Sequence, residues 1–315
     1  MIPLKFVPAA LGFFMGWGLG SPGRIALATA ETSGVRPVPH SLKHQGKTRK
    51  WVEVLPADCA RGGCPLLLLF HGGMGTGERI LEQTDMAAKA VRESFVLVAP
   101  DADGTQWNDG REIRRSDADD VGFVRKLLAD VQSRAKTDPS RTYAAGVSNG
   151  GMFTLRLACE LSDRFVAVAS VIGNQVERLT SSCKPSKPLS VFLIHSTEDP
   201  LMPYGGGQVT GPFGHRKLGA VLSSDATLEL WKKLEDCTGK GTALELDQDP
   251  ADGTSVRINV WKPCRDGVEV RRWAVVGGGH TWPGAKLPSR LPTGRMSKEF
   301  DATAEVWKFL AAHRR

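Results

Sequence analysis

Ser148 lies in Gly146-Val147-Ser148-Asn149-Gly150-Gly151, which fits the pattern G-x-S-x-G. In that pattern a strand stops, the chain reverses sharply and a helix starts, so the serine hydroxyl stands at the end of a sheet. The glycines have a steric reason, since two positions either side of the serine the strand and helix backbones approach too closely for a Cβ. In a chain with 35 glycines the pattern can also arise by chance, so its flanks decide. Upstream, Thr142-Tyr143-Ala144-Ala145 is a short β-prone run behind the helix-stopping Asp138-Pro139. Downstream, Met152, Leu155 and Ala158-Cys159 recur at helical spacing. A serine held in this way is a nucleophile for acyl transfer, once a base removes its proton and an acceptor orients that base.

Both partners are expected later in the chain. The apolar run from Leu189 to Ile194 ends in His195-Ser196-Thr197-Glu198-Asp199-Pro200, which puts Asp199 in the loop at a strand's carboxyl end. The run Val268 to Val276 ends in Gly277-Gly278-Gly279-His280-Thr281-Trp282-Pro283-Gly284, which puts His280 in the next such loop. Of seven histidines, His280 combines that loop position with the chain order nucleophile, acid, base. Glu198 is the rival acid. The plainer alternatives are a turn-forming Asp199 before Pro200 and a His280 that merely closes a strand. Acyl transfer also needs donors for the oxyanion: the backbone N–H of Asn149 is one, and Gly73 of His71-Gly72-Gly73 is the expected second. His71 is expected to brace that loop rather than to react.

The elements that must position these residues alternate between two periods. Trp51 to Leu55 alternates as a strand, and Pro65 to Phe70 is apolar on both faces, as a central parallel strand is. A helix near Thr84 to Glu93, a strand at Phe95 to Ala99 and a helix over Asp119 to Arg134 precede the serine turn. Strands at Phe165 to Val171 and Leu189 to Ile194, a helix at Ser224 to Glu235, and strands near Val256 to Trp261 and Val268 to Val275 follow. A helix over Asp301 to His313 closes the chain. The expected fold class is α/β, an α/β-hydrolase fold with a mostly parallel sheet and helices on both faces.

The amino terminus has a basic tip, an apolar run from Phe6 to Leu19 and the small-x-small site Ala28-Thr29-Ala30. This predicts a signal peptide over residues 1–30 and a single catalytic domain over residues 31–315, secreted or periplasmic. The apolar run is shorter than the ~20 residues a membrane span needs. All six cysteines follow that leader, and none has zinc-site spacing, so disulfides are expected and no metal is. Proximity favours Cys59 with Cys64, Cys159 with Cys183 and Cys237 with Cys264, although sequence alone leaves every other pairing open. The formal charge is +7, of which Lys5 and Arg24 fall in the leader. Basic residues cluster at Lys286, Arg290, Arg295 and Lys298, and at Arg111, Arg114 and Arg115. If both groups border a cleft, with Arg290 and Arg295 on substrate, an anionic polymer would be attracted; otherwise they are a solvated surface. No nucleic-acid motif accompanies the charge, so that partner is not expected.

Taken together, His71-Gly72-Gly73, Trp107-Asn108, Asp119 to Phe123, Gly146 to Met152, His195 to Pro200 with Tyr204-Gly205-Gly206, and Gly278 to Gly284 resemble the poly(3-hydroxybutyrate) depolymerase family of esterases. That family is related to feruloyl and acetyl-xylan esterases. The resemblance spans about Val52 to Leu310 and implies a secreted serine hydrolase without cofactor, acting on a polymer or oligomer ester. Larger members carry linker and polymer-binding domains; this sequence ends straight after its catalytic region, so adsorption to crystalline polyester is not expected. The alternative substrate is a polyanion such as poly(aspartic acid), cut at amide bonds, and the remote alternative is a non-catalytic binding module. Trp107 and Trp282 are candidates for the acyl pocket, with core packing as their other role.

Overall fold

A computed structural model describes residues 36–111, 118–211, 217–239, 241–286 and 293–315. The leader over residues 1–30 and the basic residues Arg114, Arg115 and Arg290 lie outside the described residues.

The chain opens with β1 (Val38–His44) and β2 (Lys47–Val54), an antiparallel pair, and then enters the sheet centre with β3 (Leu66–Phe70). Next come α1 (Gly77–Thr84), α2 (Met86–Arg92), β4 (Val96–Pro100), α3 (Asp120–Ala135), β5 (Thr142–Val147), α4 (Asn149–Glu160) and β6 (Ala167–Val171). After β7 (Ser190–Ser196) a short hairpin of β8 (Gly207–Thr210) and β9 (Lys217–Val221) stands apart from the main sheet. The chain finishes with α5 (Ser224–Leu234), β10 (Thr242–Leu246), β11 (Ser255–Trp261), β12 (Val270–Val276) and α6 (Ala302–Ala311).

The main sheet has ten strands in the order β1-β2-β4-β3-β5-β6-β7-β12-β11-β10. Its centre, from β4 to β12, is parallel, and both flanks are antiparallel. The mostly parallel sheet and its helices are those of an α/β-hydrolase fold, as expected. Strand side chains alternate faces, and here each face meets its own helices. Leu66, Leu68 and Phe70 pack in one core with Phe123 and Leu127 of α3, Phe153 of α4 and Trp231 of α5. Leu67 and Leu69 pack in the other with Ile80 of α1, Met86 of α2 and Trp307 and Phe309 of α6. A sheet covered on both faces explains why its central strands read as unbroken apolar runs.

Local chemistry sets the boundaries. The single helix expected over Thr84 to Glu93 is two: Asp85 adopts a left-handed conformation (φ 55°) between α1 and α2. Aspartate tolerates that region, where a β-branched residue would not. Asp301 caps α6, accepting from the N–H groups of Thr303 and Ala304. Strands β1, β8, β9 and β10 carry no strong periodicity in the sequence; Thr242, Ala243, Leu244 and Glu245 of β10 are exposed, because an edge strand is held by main-chain bonds rather than by burial. Three disulfides, Cys59–Cys64, Cys159–Cys183 and Cys237–Cys264, close local loops.

One buried carboxyl ties stability to pH. Glu235, at the end of α5, is fully buried, and burial pushes its pKa up to about 7 against the attraction of Arg265. The fold therefore favours the protonated form: its contribution is complete below the unfolded value near 4.5 and is lost as pH rises to about 7. The span corresponds to roughly 3 kcal/mol. Glu235→Gln is expected to raise the melting temperature at pH 8 by several degrees and to leave it unchanged at pH 4. Thermal unfolding monitored by circular dichroism across that range checks this.

Candidate active site

β5 delivers Ser148 to the end of the sheet in a conformation that L-residues rarely adopt, φ 56° and ψ −118°, and α4 starts at the next residue. Such a backbone costs on the order of 1–3 kcal/mol and persists where surrounding contacts over-determine it. Those contacts are tight: a Cβ on Gly146 would stand 2.3 Å from the carbonyl oxygen of Gly150, and one on Gly150 would stand 2.3 Å from that of Phe70. The two glycines are therefore steric requirements of the turn.

Three strand ends then converge. The Ser148 Oγ lies 2.8 Å from Nε2 of His280, and Nδ1 of the same ring lies 2.7 Å from Oδ2 of Asp199. The other carboxylate oxygen, Oδ1, accepts from the N–H groups of Leu201 and Met202, both at 2.8 Å, so the acid is held from two sides. Asp199 and His280 are almost wholly buried, with side chains 1% and 9% exposed. Glu198 is exposed, and it is Asp199 that meets the ring. The His280 loop is pinned in turn, because the Gly279 N–H donates to the Arg295 carbonyl.

Gly73 and Asn149 face the same cleft as Ser148. His71 braces the glycine loop: its Nε2 accepts from the Ala102 N–H at 3.2 Å, which leaves the proton on Nδ1, 2.7 Å from the Gly72 carbonyl. Burial lowers its pKa, so the ring stays neutral. His195 is buried below the Asp199 loop, with Nδ1 2.7 Å from Ser224 Oγ, and burial, with Arg272 nearby, lowers its pKa to about 4.

The cleft has a volume of about 550 Å³. Its apolar wall includes Met152, Ile172, Leu201, Val209, Leu218 and Trp282. Two of these, Val209 and Leu218, come from the β8–β9 hairpin, which no sequence pattern announced.

Two expected substrate contacts, Trp107 and Arg295, lie outside the cleft lining. Trp107 does not line the cleft; it is fully buried, stacked on Phe153 with ring centroids 5.1 Å apart, and its Nε1–H donates to the His71 carbonyl. Its size and single donor suit the gap between the glycine loop and α4. Arg295 directs its guanidinium to the Gly253 carbonyl at 2.7 Å, outside the cleft lining, and serves the His280 loop through its main chain. Lys286 and Lys298 are likewise absent from the lining, although the segment itself borders the cleft through Thr293. Arg111 does line it, but its charge is matched by Asp109 at 2.8 Å. Trp282 is the tryptophan that borders the cleft, its Nε1–H donating to Thr303 at 3.1 Å. Among the described residues no group of three potential metal ligands occurs, and no helix is long and apolar enough to cross a membrane.

No family model matches the chain. It is 31% identical over 235 residues to the "Putative esterase NocK" of Nocardia uniformis subsp. tsuyamanensis, an alignment covering 72% of this chain and 68% of that protein. It is 28% identical over 230 residues to feruloyl esterase B of Piromyces equi, covering 71% of this chain and 40% of that longer protein. It is 24% identical over 239 residues to the bifunctional acetylxylan esterase/xylanase XynS20E of Neocallimastix patriciarum, covering 76% of this chain and 32% of that protein. Among solved structures, an acetyl xylan esterase from Aspergillus awamori matches with a TM-score of 0.56 at 13% identity, covering 78% of this chain and 94% of that one. A thermostable esterase matches with the same TM-score of 0.56 at 15% identity, covering 89% and 63%. These structural likenesses show the fold.

Proposed function

Because this chain belongs to the esterase family of its Nocardia relative and is a carboxylic ester hydrolase, we propose that it cleaves aromatic or acetyl esters through an acyl-enzyme on Ser148. The observation that carries the reading is the unbroken run Ser148 Oγ, His280, Asp199, with links of 2.8 and 2.7 Å, whose Ser148 and His280 line a cleft with an apolar wall. His280 Nε2 takes the serine proton as Oγ attacks the ester carbonyl, and Asp199 keeps the ring's other proton on Nδ1. The developing oxyanion is held by the main-chain N–H groups of Gly73 and Asn149, each such donor contributing roughly 3 kcal/mol. The protonated ring gives its proton to the departing alcohol. Water then enters and attacks the acyl carbon as His280 takes its proton; the bond to Ser148 Oγ breaks, His280 returns the proton to Oγ, and the acyl group leaves as a carboxylic acid. No step calls for a cofactor.

The substrate class is supported by two features. Several relatives are named for feruloyl or acetylxylan esters, and a cleft of this volume with an apolar wall fits a planar aromatic or short acyl group. Three disulfides suit an oxidising compartment and support export, for which residues 1–30 would be the leader. A panel of methyl ferulate, short-chain nitrophenyl esters, hydroxybutyrate oligomers and poly(aspartic acid) tests the assignment. Methyl ferulate or nitrophenyl acetate is expected to lead by about tenfold or more. Preference for hydroxybutyrate oligomers would move the enzyme to the polyester depolymerases, and cleavage of poly(aspartic acid) alone would overturn the ester reading.

A further inference from the structure

Asp109 is 1% exposed and lies outside the Ser148, His280 and Asp199 run. Its Oδ2 accepts from the side-chain amide of Asn149 at 2.6 Å. The rest of that amide is used against one residue: Asn149 Oδ1 accepts from the Trp107 N–H at 2.8 Å, and Nδ2 also donates to the Trp107 carbonyl at 3.0 Å. A carboxylate has only acceptors to offer, so Asp109 fixes which end of the Asn149 amide faces it. Arg111 balances the buried charge, donating from Nε to both Asp109 oxygens at 3.1 and 2.9 Å and pairing through Nη2 at 2.8 Å. Its Nη1 donates to the Leu218 carbonyl at 2.8 Å, which anchors the pair in β9 and so in the cleft wall.

Asn149 is the first residue of α4, where a main-chain N–H has no acceptor within the helix. The direction of that N–H follows the backbone on either side, and the preceding residue is the strained Ser148. An oxyanion donor works when it is held in place before charge develops, and a displacement of about 1 Å can cost on the order of 10²-fold in rate. We infer that Asp109 is a positioning residue for the ester hydrolysis: through the side chain of Asn149 it holds the N–H that follows Ser148 in line with the oxyanion. This rests on the assignment of Ser148 as nucleophile.

The test compares Asn149→Ala, Asp109→Asn and the double variant on a nitrophenyl ester. Asn149→Ala keeps the main-chain donor and leaves Asp109 paired with Arg111, so it removes the anchor without stranding a charge. It is expected to lower kcat by roughly 10- to 100-fold with KM within about twofold. Affinity for an aryl boronic acid, which forms a tetrahedral serine adduct, is expected to fall by the same factor, whereas inhibition by the carboxylate product stays constant. A loss that was only structural would lower both affinities or neither. The double variant is expected to be no slower than the slower single variant, since the two act through one link. Wild-type kcat and boronate affinity in Asn149→Ala, or losses that multiply in the double variant, would overturn the inference. Should Asp109→Asn fail to fold, Asn149→Ala decides alone. Ser148→Ala run in parallel separates the two levels: activity in that variant overturns the nucleophile and the inference with it, whereas a dead Ser148→Ala beside an unimpaired Asn149→Ala overturns the positioning role alone.

Discussion

Ser148→Ala is expected to abolish ester hydrolysis, with a loss on the order of 10⁶-fold, and to leave the fold intact. The serine side chain contributes one contact to His280, and the turn around it is held by main-chain packing at Gly146 and Gly150. Alanine has the same backbone preferences, so the cost of φ 56° is unchanged. Steady-state hydrolysis of a nitrophenyl ester and a circular-dichroism melt measure the two effects separately. A variant that kept more than about a hundredth of the rate would need a different nucleophile. Labelling by a fluorophosphonate probe should disappear in the same variant.

Asp199→Asn is expected to lower kcat by roughly 10⁴-fold, and Glu198→Gln to change it by less than about twofold. The reason lies in how the acid is held. Oδ1 of Asp199 accepts from the Leu201 and Met202 N–H groups, so an asparagine keeps its carbonyl oxygen there and turns its NH₂ toward His280. The ring then has to accept at Nδ1 and carry its proton on Nε2, where it meets Ser148 as a donor and cannot act as its base. Glu198 is exposed and is not the residue at Nδ1, so its amide analogue removes only a surface charge. The reverse ranking in steady-state kinetics would assign the acid to Glu198.

The nucleophile turn and the three strand-end residues were legible in the sequence because each rests on something local. Gly146 and Gly150 mark a backbone approach too close for a Cβ, and the buried runs before Asp199 and His280 show where parallel strands end. Trp107 was misread for the opposite reason. A tryptophan near a motif suits a pocket or a core equally, and the difference between stacking on Phe153 and facing the cleft is made by a helix some 40 residues away. Arg295 was misread because a run of like charge says nothing of direction: its guanidinium turns to the Gly253 carbonyl, a contact that exists once β11 and the His280 loop are side by side.

What the sequence by itself determined is the meeting of Ser148, Asp199 and His280 at strand ends, their order along the chain and the layered α/β plan, since steric glycines, strand-end loops and hydrophobic period are all properties of short segments. The tertiary structure decided which tryptophan borders the cleft, where Arg111 and Arg295 point, how the β8–β9 hairpin builds the apolar wall, and that Asp109 reaches Asn149. These depend on polar or aromatic side chains from distant loops meeting across a few ångströms. Such contacts have no periodicity and no fixed spacing, so nothing short of the folded chain specifies them.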